Sequence, residues 1–124
     1  MDIKSIKSLQ EELSTLIGVS GYEEDVSNFI LKLIKNEDLV DNAWIDPLGN
    51  VLAIKKGTNG KEKILFDAHI DEIGFMVSHI EKSGFLRFVP IGGWDQRILL
   101  GQSVMVRSKA VSYTHLTLPT TPYV

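Results

Sequence analysis

The sequence contains no cysteine, so it can form neither a disulfide nor a thiolate metal site. Any metal ion bound to this chain must therefore be held by histidine and carboxylate side chains. A chain without disulfides is also suited to a reducing compartment, which favours the cytoplasm as its location.

Basic clusters and long apolar segments are absent as well. The 124 residues carry a formal net charge of −3, and the longest run of Lys or Arg is the pair Lys55-Lys56. A nucleic-acid partner is not expected, because such partners require a basic surface. No stretch approaches the roughly 18 apolar residues of a membrane-spanning helix, and the N-terminus lacks the apolar core of a signal peptide. The sequence predicts neither membrane insertion nor secretion.

Charge is missing from one segment of the chain. Residues 111–124 contain no Asp, Glu, Lys or Arg, although 13 basic and 16 acidic side chains precede them. A flexible natural tail is one interpretation. In another, Val111 to Thr120 are encoded by GTC TCT TAT ACA CAT CTG ACG CTG CCG ACG, which resembles a transposon-end sequencing adapter in reverse complement. The natural sequence would then end near Lys109 or Ala110, His115 would not be a ligand, and Val111 onward would pack against nothing.

Two helices are predicted at the start of the chain. The first has apolar residues at three- and four-residue steps before Gly18, namely Ile3, Ile6, Leu9, Leu13, Leu16 and Ile17. Ser20 and Glu23 have the Ser-x-x-Glu spacing of a capping box, which predicts that a second helix begins there. Its apolar stripe consists of Val26, Phe29, Ile30, Leu33 and Ile34.

The apolar period then becomes that of strands. Residues 43–54 predict a β-hairpin with its turn at Asp46-Pro47-Leu48-Gly49. Residues 63–68 have the nearly continuous apolar run of a strand buried on both faces of an α/β sheet. His69 and Asp71 follow at its C-terminal end, where open α/β sheets place their chemistry. Further strands are predicted at residues 73–80, 85–90 and 99–107, which indicates a β-rich second domain.

The pair His69 and Asp71 is a candidate metal-binding element. Residues two apart on a strand point to the same face, so the carboxylate can orient the imidazole ring and fix its tautomer, as metal-binding histidines require. The same spacing also suits a purely structural hydrogen bond, and the bare pattern does not distinguish the two. His79 is expected to be an ordinary, partly buried histidine, and Asp95 is expected to cap a tight turn.

Four separated segments together resemble one enzyme family. They are AHIDEIGF, the preceding GVSGYEEDV and DPLGNVLAIKKG, and the following FLRFVPIGGWDQRILLGQSVMV. In order and spacing they are similar to the glutamyl and tetrahedral aminopeptidases, metallopeptidase family forty-two. The resemblance implies a zinc-exopeptidase-like α/β domain that is incomplete, in residues 1–72. It also implies the start of an inserted, β-barrel-like dimerisation domain in residues 73–110, and residues 111–124 belong to neither.

The resemblance also implies a chemistry. His69 matches a ligand of one of two neighbouring divalent cations, zinc or cobalt, and Asp71 matches the catalytic-site aspartate that orients it. The family's other ligands and its general-base glutamate lie beyond the inserted domain, and nothing in the resemblance lets Glu72, His79 or Asp95 replace them. The complete enzyme would remove N-terminal residues from peptides in the cytoplasm, as a homo-oligomer from dimer to dodecamer. This chain alone is expected to be inactive.

Two other functions remain open at this point. The chain could be a short β-rich binding or oligomerisation module in which His69 is only structural. It could also belong to a glycosidase of the endoglucanase type, which would need two carboxylates facing each other across a sugar site. No such pair can be assigned from the sequence.

Overall fold

The computed structural model describes residues 3–36, 39–58, 62–108 and 114–118 and combines α-helices with β-hairpins. The chain divides into two compact units, Met1–Gly92 and Gly93–Val124. The elements of the first unit are α1 (Ile3–Thr15), α2 (Glu24–Asn36), β1 (Asn42–Ile45), β2 (Val51–Ile54), β3 (Gly74–Ile80) and β4 (Leu86–Ile91). The second unit contains a 3₁₀ turn (Gln96–Ile98), β5 (Ser103–Val106) and β6 (Thr114–Thr117).

Both predicted helices are present, but the second begins differently from the prediction. The residues of its apolar stripe are buried or half-buried along α2, as the period predicts. Ser20, however, does not form the predicted capping box, because its hydroxyl donates to Asp71. The Glu23 carboxylate accepts from the backbone N–H of Gly21 at 2.6 Å, and α2 begins only at Glu24. The capping-box prediction was therefore wrong about the partner of Ser20.

The first hairpin matches its prediction closely. Strands β1 and β2 pair antiparallel, with Trp44 opposite Leu52, around a turn in which Gly49 has a φ of 90°. The Asp46 carboxylate closes that turn by accepting from the backbone N–H groups of Leu48 and Asn50, both at 2.9 Å. An aspartate at the first position of a turn stabilises it in this way.

Helix α2 packs on this hairpin, and together they contain the best-buried side chains of the described residues. Val26 in α2 and Ala43 in β1 are 6% exposed. Ser27 is 2% exposed, and its hydroxyl donates to the carbonyl of Gly49 at 2.8 Å. This hydrogen bond satisfies a hydroxyl that would otherwise be costly to bury.

The segment before His69 differs from its prediction. Residues 62–71 belong to no strand, and the side chains of Ile64, Leu65 and Phe66 are 80%, 88% and 90% exposed. The predicted buried strand was therefore wrong for this chain. An apolar run becomes a buried strand only when neighbouring strands and helices cover both of its faces, and the described residues provide no such cover here. An isolated parallel bridge between Val19 and Glu72 follows this segment.

Strands β3 and β4 form a second antiparallel hairpin. Their register shifts between Val77 and His79, which marks a bulge. Phe75 and Phe88 make an edge-on ring contact with centroids 4.8 Å apart. His79 is exposed on β3, so the expectation of a partly buried side chain was wrong.

The second unit contains a third antiparallel pair, in which β5 runs beside β6. The Asp95 carboxylate accepts from the backbone N–H of Arg97 at 3.0 Å, so the predicted capping role is confirmed. The strand predicted over residues 99–107 is shorter and comprises only β5. The prediction that Val111 onward packs against nothing was wrong for Thr114–Thr117, which pairs with Ser103–Val106, whereas residues 111–113 and 119–124 lie outside the described residues. Pairing needs only backbone N–H and C=O groups, and β-branched threonines suit a strand.

In the described part of the chain, each sheet consists of two strands. The barrel-like domain and the predicted domain boundaries therefore stay predictions. Among the described residues, no helix combines the length and apolarity needed to cross a bilayer.

Candidate functional site

The candidate site lies where two segments distant in the chain meet. The loop after α1, residues 18–23, runs beside the segment that contains His69 and Asp71. The backbone N–H of Glu72 donates to the Gly18 carbonyl at 2.7 Å, and the N–H of Ser20 donates to the Glu72 carbonyl at 3.3 Å. The Glu72 carboxylate also accepts from the N–H of Gly18 at 3.2 Å. These hydrogen bonds fix the loop against the His-Ile-Asp segment.

Glycines permit this close approach. A Cβ placed on Gly18 would lie 2.7 Å from a methyl group of Val26 and 3.3 Å from the carbonyl oxygen of Ile70. A Cβ on Gly74 would lie 2.6 Å from a methyl group of Val19. Real Cβ atoms essentially never come within 3.0 Å of another heavy atom, so a larger residue at Gly18 or Gly74 would force Val26 or Val19 to shift.

His69 and Asp71 are in direct contact, although the strand from which the sequence predicted a same-face pair is not formed. The Nδ1 atom of His69 lies 3.1 Å from Oδ1 of Asp71 and 3.1 Å from the Asp71 carbonyl oxygen. When Nδ1 carries the proton it donates to Asp71, which leaves the lone pair of Nε2 for another partner. The His69 side chain is 87% exposed and that of Asp71 is 40% exposed.

The other carboxylate oxygen of Asp71 has its own partner. The Ser20 hydroxyl donates to Oδ2 at 2.5 Å. This hydrogen bond is the main reason why the pKa of Asp71 lies below its ordinary value, and the contact with His69 lowers it further. Hydrogen bonds to the charged form of a carboxyl favour that form. Asp71 is therefore ionised near neutral pH, and both of its carboxylate oxygens can accept hydrogen bonds.

An open cavity of about 220 Å³ lies beside this pair. It is lined by Gln10, Leu13, Ser14, Val26, Ile30, His69, Ile70 and Asp71. Because a water molecule occupies about 30 Å³ in the liquid, the cavity has room for several waters. His69, whose side chain is 87% exposed, is thus not sealed in apolar packing and lines this open cavity.

The residues present fit one part of a metal site. An imidazole oriented by a carboxylate is the usual arrangement of a metal-binding histidine. Zinc sites, however, use three or four protein ligands, and residues 3–36, 39–58, 62–108 and 114–118 contain no group of three or more potential ligands. Glu72 is used to bind the backbone of Gly18, and His79 lies exposed on β3. The site as described supplies one imidazole and its orienting aspartate.

Sequence reasoning missed Ser20 as a member of this site. Its Ser-x-x-Glu spacing pointed to a local helix cap, whereas its partner Asp71 lies 51 residues further along the chain. Neither periodicity nor spacing carries a signal for a contact of that range.

Comparison with known proteins gives consistent results. A sequence model of the M42 glutamyl aminopeptidases matches residues 49–124. A putative aminopeptidase of Acetivibrio thermocellus is 40% identical over 111 residues, which are 90% of this chain and 32% of that protein. The lysyl aminopeptidase of Pyrococcus furiosus is 44% identical over 88 residues, 70% of this chain and 24% of that protein. The chain thus spans a third or less of the length of these relatives.

Solved structures resemble the chain in the same way. An aminopeptidase of the archaeon Desulfurococcus kamchatkensis has a TM-score of 0.82 at 43% identity, covering 89% of this chain and 30% of that one. The Pyrococcus horikoshii TET1 peptidase, which can assemble into a tetrahedron or a large octahedral shell, has a TM-score of 0.78 at 34% identity, covering 96% and 34%. An endoglucanase of Thermotoga maritima has a TM-score of 0.68 at 51% identity, covering 74% and 29%.

Proposed function

This chain belongs to the M42 glutamyl aminopeptidase family, and on that premise we propose that it carries the first metal-ligand segment of a metal-dependent aminopeptidase. The observation that supports the proposal is the exposed His69 imidazole, held by Asp71 at 3.1 Å beside an open cavity. The similarity to proteins named aminopeptidases supports the reaction class.

Each of the two residues has a separate role in this proposal. His69 would hold one of two divalent cations, zinc or cobalt, with the nitrogen that does not face Asp71. Asp71 would accept the proton on Nδ1 and so fix both the tautomer and the direction of the ring. When bound, such cations polarise a peptide carbonyl and acidify a water molecule for attack. Among the described residues, we assign a role in that chemistry to His69 and Asp71.

The proposal extends to substrate, assembly and location. The substrate would be the N-terminal residue of a peptide, in line with the aminopeptidase names of the relatives. A complete subunit would form homo-oligomers, which the assembly of the TET1 peptidase supports. The location would be the cytoplasm, which the lack of cysteine favours. This chain alone would not hydrolyse peptides, since a single imidazole does not make a two-metal site.

The alternatives are less well supported. The endoglucanase name belongs to one similar structure, whereas the family model and the curated relatives described above are aminopeptidases. A glycosidase would need a pair of free carboxylates, but Asp71 is already bound to His69 and Ser20. A non-catalytic binding module would not account for membership of a peptidase family.

Calorimetric titration of the chain with Zn²⁺ and with Co²⁺ tests the metal role. We expect His69→Ala to weaken metal binding at least about tenfold. The substitution removes a ligand, and even the loss of a residue that only orients a ligand typically lowers metal affinity by about tenfold or more. His79→Ala is the matched control, since His79 is also exposed but lies on β3 and does not line the cavity. Equal affinities for the chain and His69→Ala would refute the proposed role.

A further inference from the structure

Asp71 divides its two carboxylate oxygens between two partners. Oδ2 accepts from the Ser20 hydroxyl at 2.5 Å, and Oδ1 faces Nδ1 of His69 at 3.1 Å. The terminal torsion of an aspartate is broad, so a carboxylate held at one end only is free to rotate. With one oxygen held by Ser20, the other is kept in the direction of the imidazole.

The backbone of Ser20 is itself fixed relative to Asp71. Its N–H donates to the carbonyl of Glu72, the residue that follows Asp71. Val19 forms a parallel bridge with Glu72, and the N–H of Tyr22 donates to the Val19 carbonyl at 2.7 Å. The hydroxyl therefore reaches Asp71 from a loop tied to the same segment, rather than from a side chain with independent motion.

Nδ1 of His69 also lies 3.1 Å from the Asp71 carbonyl oxygen, so the backbone of Asp71 contributes to the position of the ring. The His69 side chain is 87% exposed, so packing does not determine its orientation. A neutral imidazole in water prefers to carry its proton on Nε2, and a carboxylate beside Nδ1 reverses that preference. Only the reversed tautomer leaves Nε2 with a lone pair for a cation.

We propose that Ser20 is a positioning residue of the candidate site: its hydroxyl fixes the Asp71 carboxylate, which in turn holds His69 in the tautomer that can bind a metal ion. The inference rests on the metal role proposed for His69, but the arrangement it describes exists without metal. Its tautomer can therefore be measured in the metal-free chain.

The experiment is long-range ¹H–¹⁵N correlation NMR of the ¹⁵N-labelled, metal-free chain. Spectra are recorded at a pH above which the histidine ring signals no longer change, so that the two neutral tautomers are compared. The His69 signals are assigned by their loss in His69→Ala. We expect His69 to have its proton on Nδ1 in the unmodified chain and to shift towards the Nε2–H form in Ser20→Ala. Ser20→Thr, which keeps a hydroxyl, should restore the original spectrum.

Two further variants keep the test decisive. Ser78→Ala removes a serine hydroxyl that donates to the Arg87 carbonyl in the β3–β4 hairpin, so it should leave the His69 spectrum unchanged. Ser20→Cys retains a weaker donor of similar size and should give a tautomer ratio between those of the unmodified chain and Ser20→Ala. If Ser20→Ala does not fold, Ser20→Cys replaces it in the comparison. A His69 tautomer that is the same in the unmodified chain, Ser20→Ala and Ser20→Cys would overturn the proposal.

Zinc titration of the same variants separates this inference from the proposed function. We expect Ser20→Ala to weaken Zn²⁺ binding by less than His69→Ala does, because the serine acts through Asp71. An unchanged tautomer in Ser20→Ala, together with weaker binding in His69→Ala, would refute the role of Ser20 alone. A shifted tautomer with equal Zn²⁺ affinity in all variants would refute the metal role while leaving the Ser20–Asp71–His69 arrangement intact.

Discussion

Single residues at the candidate site show how closely two backbone segments approach one another. Gly74 is buried at the start of β3, directly against the side chain of Val19. Val19 in turn bridges Glu72, next to Asp71. A residue without a side chain at position 74 is therefore part of what holds the loop after α1 against the His-Ile-Asp segment.

We expect Gly74→Ala to lower the free energy of unfolding by about 1–3 kcal/mol, the usual cost of overpacking a tight contact. The added methyl group would lie 2.6 Å from a methyl group of Val19. Urea denaturation followed by circular dichroism measures the change. Gly57→Ala is the control, because a Cβ there meets nothing within 4 Å, and it should stay within about 0.5 kcal/mol. Equal losses in both variants would contradict the close approach.

Among the elements, the β1–β2 hairpin depends on one carboxylate in its turn. Asp46 accepts from the side-chain amide of Asn50 at 2.9 Å and from the N–H groups of Leu48 and Asn50. The Asn50 amide is the main cause that holds the pKa of Asp46 below its ordinary value of 3.8, and the backbone N–H groups add to it. The hairpin is also the surface on which α2 packs, so its turn affects the core of the first unit.

The lowered pKa predicts a pH dependence with a definite sign. A carboxyl whose folded pKa is below its unfolded value stabilises the fold above the unfolded pKa, and this contribution is lost as pH falls through the folded pKa. The chain should therefore lose stability as pH falls from about pH 5 towards about pH 2, through and below the ordinary aspartate pKa, and part of that loss should disappear in Asp46→Asn. Urea midpoints across this range measure it.

Asp67→Asn is the control for this experiment. Asp67 is an exposed aspartate in the segment before His69, outside any strand. The Asp67→Asn variant should therefore show the same change of stability with pH as the unmodified chain. If the urea midpoint of Asp46→Asn changes with pH as much as that of the unmodified chain, the hydrogen bonds in the turn do not stabilise the charged carboxyl.

At the scale of the whole molecule, a run of apolar side chains is exposed to solvent in the segment before His69. Ile64, Leu65 and Phe66 are consecutive and nearly fully exposed. Exposed, adjacent apolar residues with high strand propensity and open backbone groups are a site for association between chains. The described residues thus fold locally but leave this run available to another copy.

We expect the chain to associate as its concentration rises, and Leu65→Lys to reduce this association by placing a charge within the apolar run. Light scattering coupled to size-exclusion chromatography measures the associated fraction. Leu48→Lys is a matched control, because Leu48 is also a leucine and is 87% exposed, but it lies singly in the hairpin turn. An equal decrease in both variants would show that added charge matters and the apolar run does not.

The sequence by itself determined those features that depend on neighbours close in the chain. The helical stripes, the hairpin around Asp46 and the capping role of Asp95 all follow from interactions within a few residues, which spacing reveals. The contact between His69 and Asp71 also joins residues close in the chain, although the strand from which it was predicted is not formed.

Only the tertiary structure decided the rest. Ser20 binds a carboxylate 51 residues away, which a local pattern cannot encode. The run at residues 64–66 has the composition of a buried strand, but burial depends on what covers it, and here the side chains are exposed. Residues 114–117 pair with β5 through backbone groups that every non-proline residue carries, so their unusual composition did not predict it. The local apolar period indicates which secondary structure a segment prefers. Which segment it pairs with, and how far its side chains are exposed, is determined by contacts between distant parts of the chain.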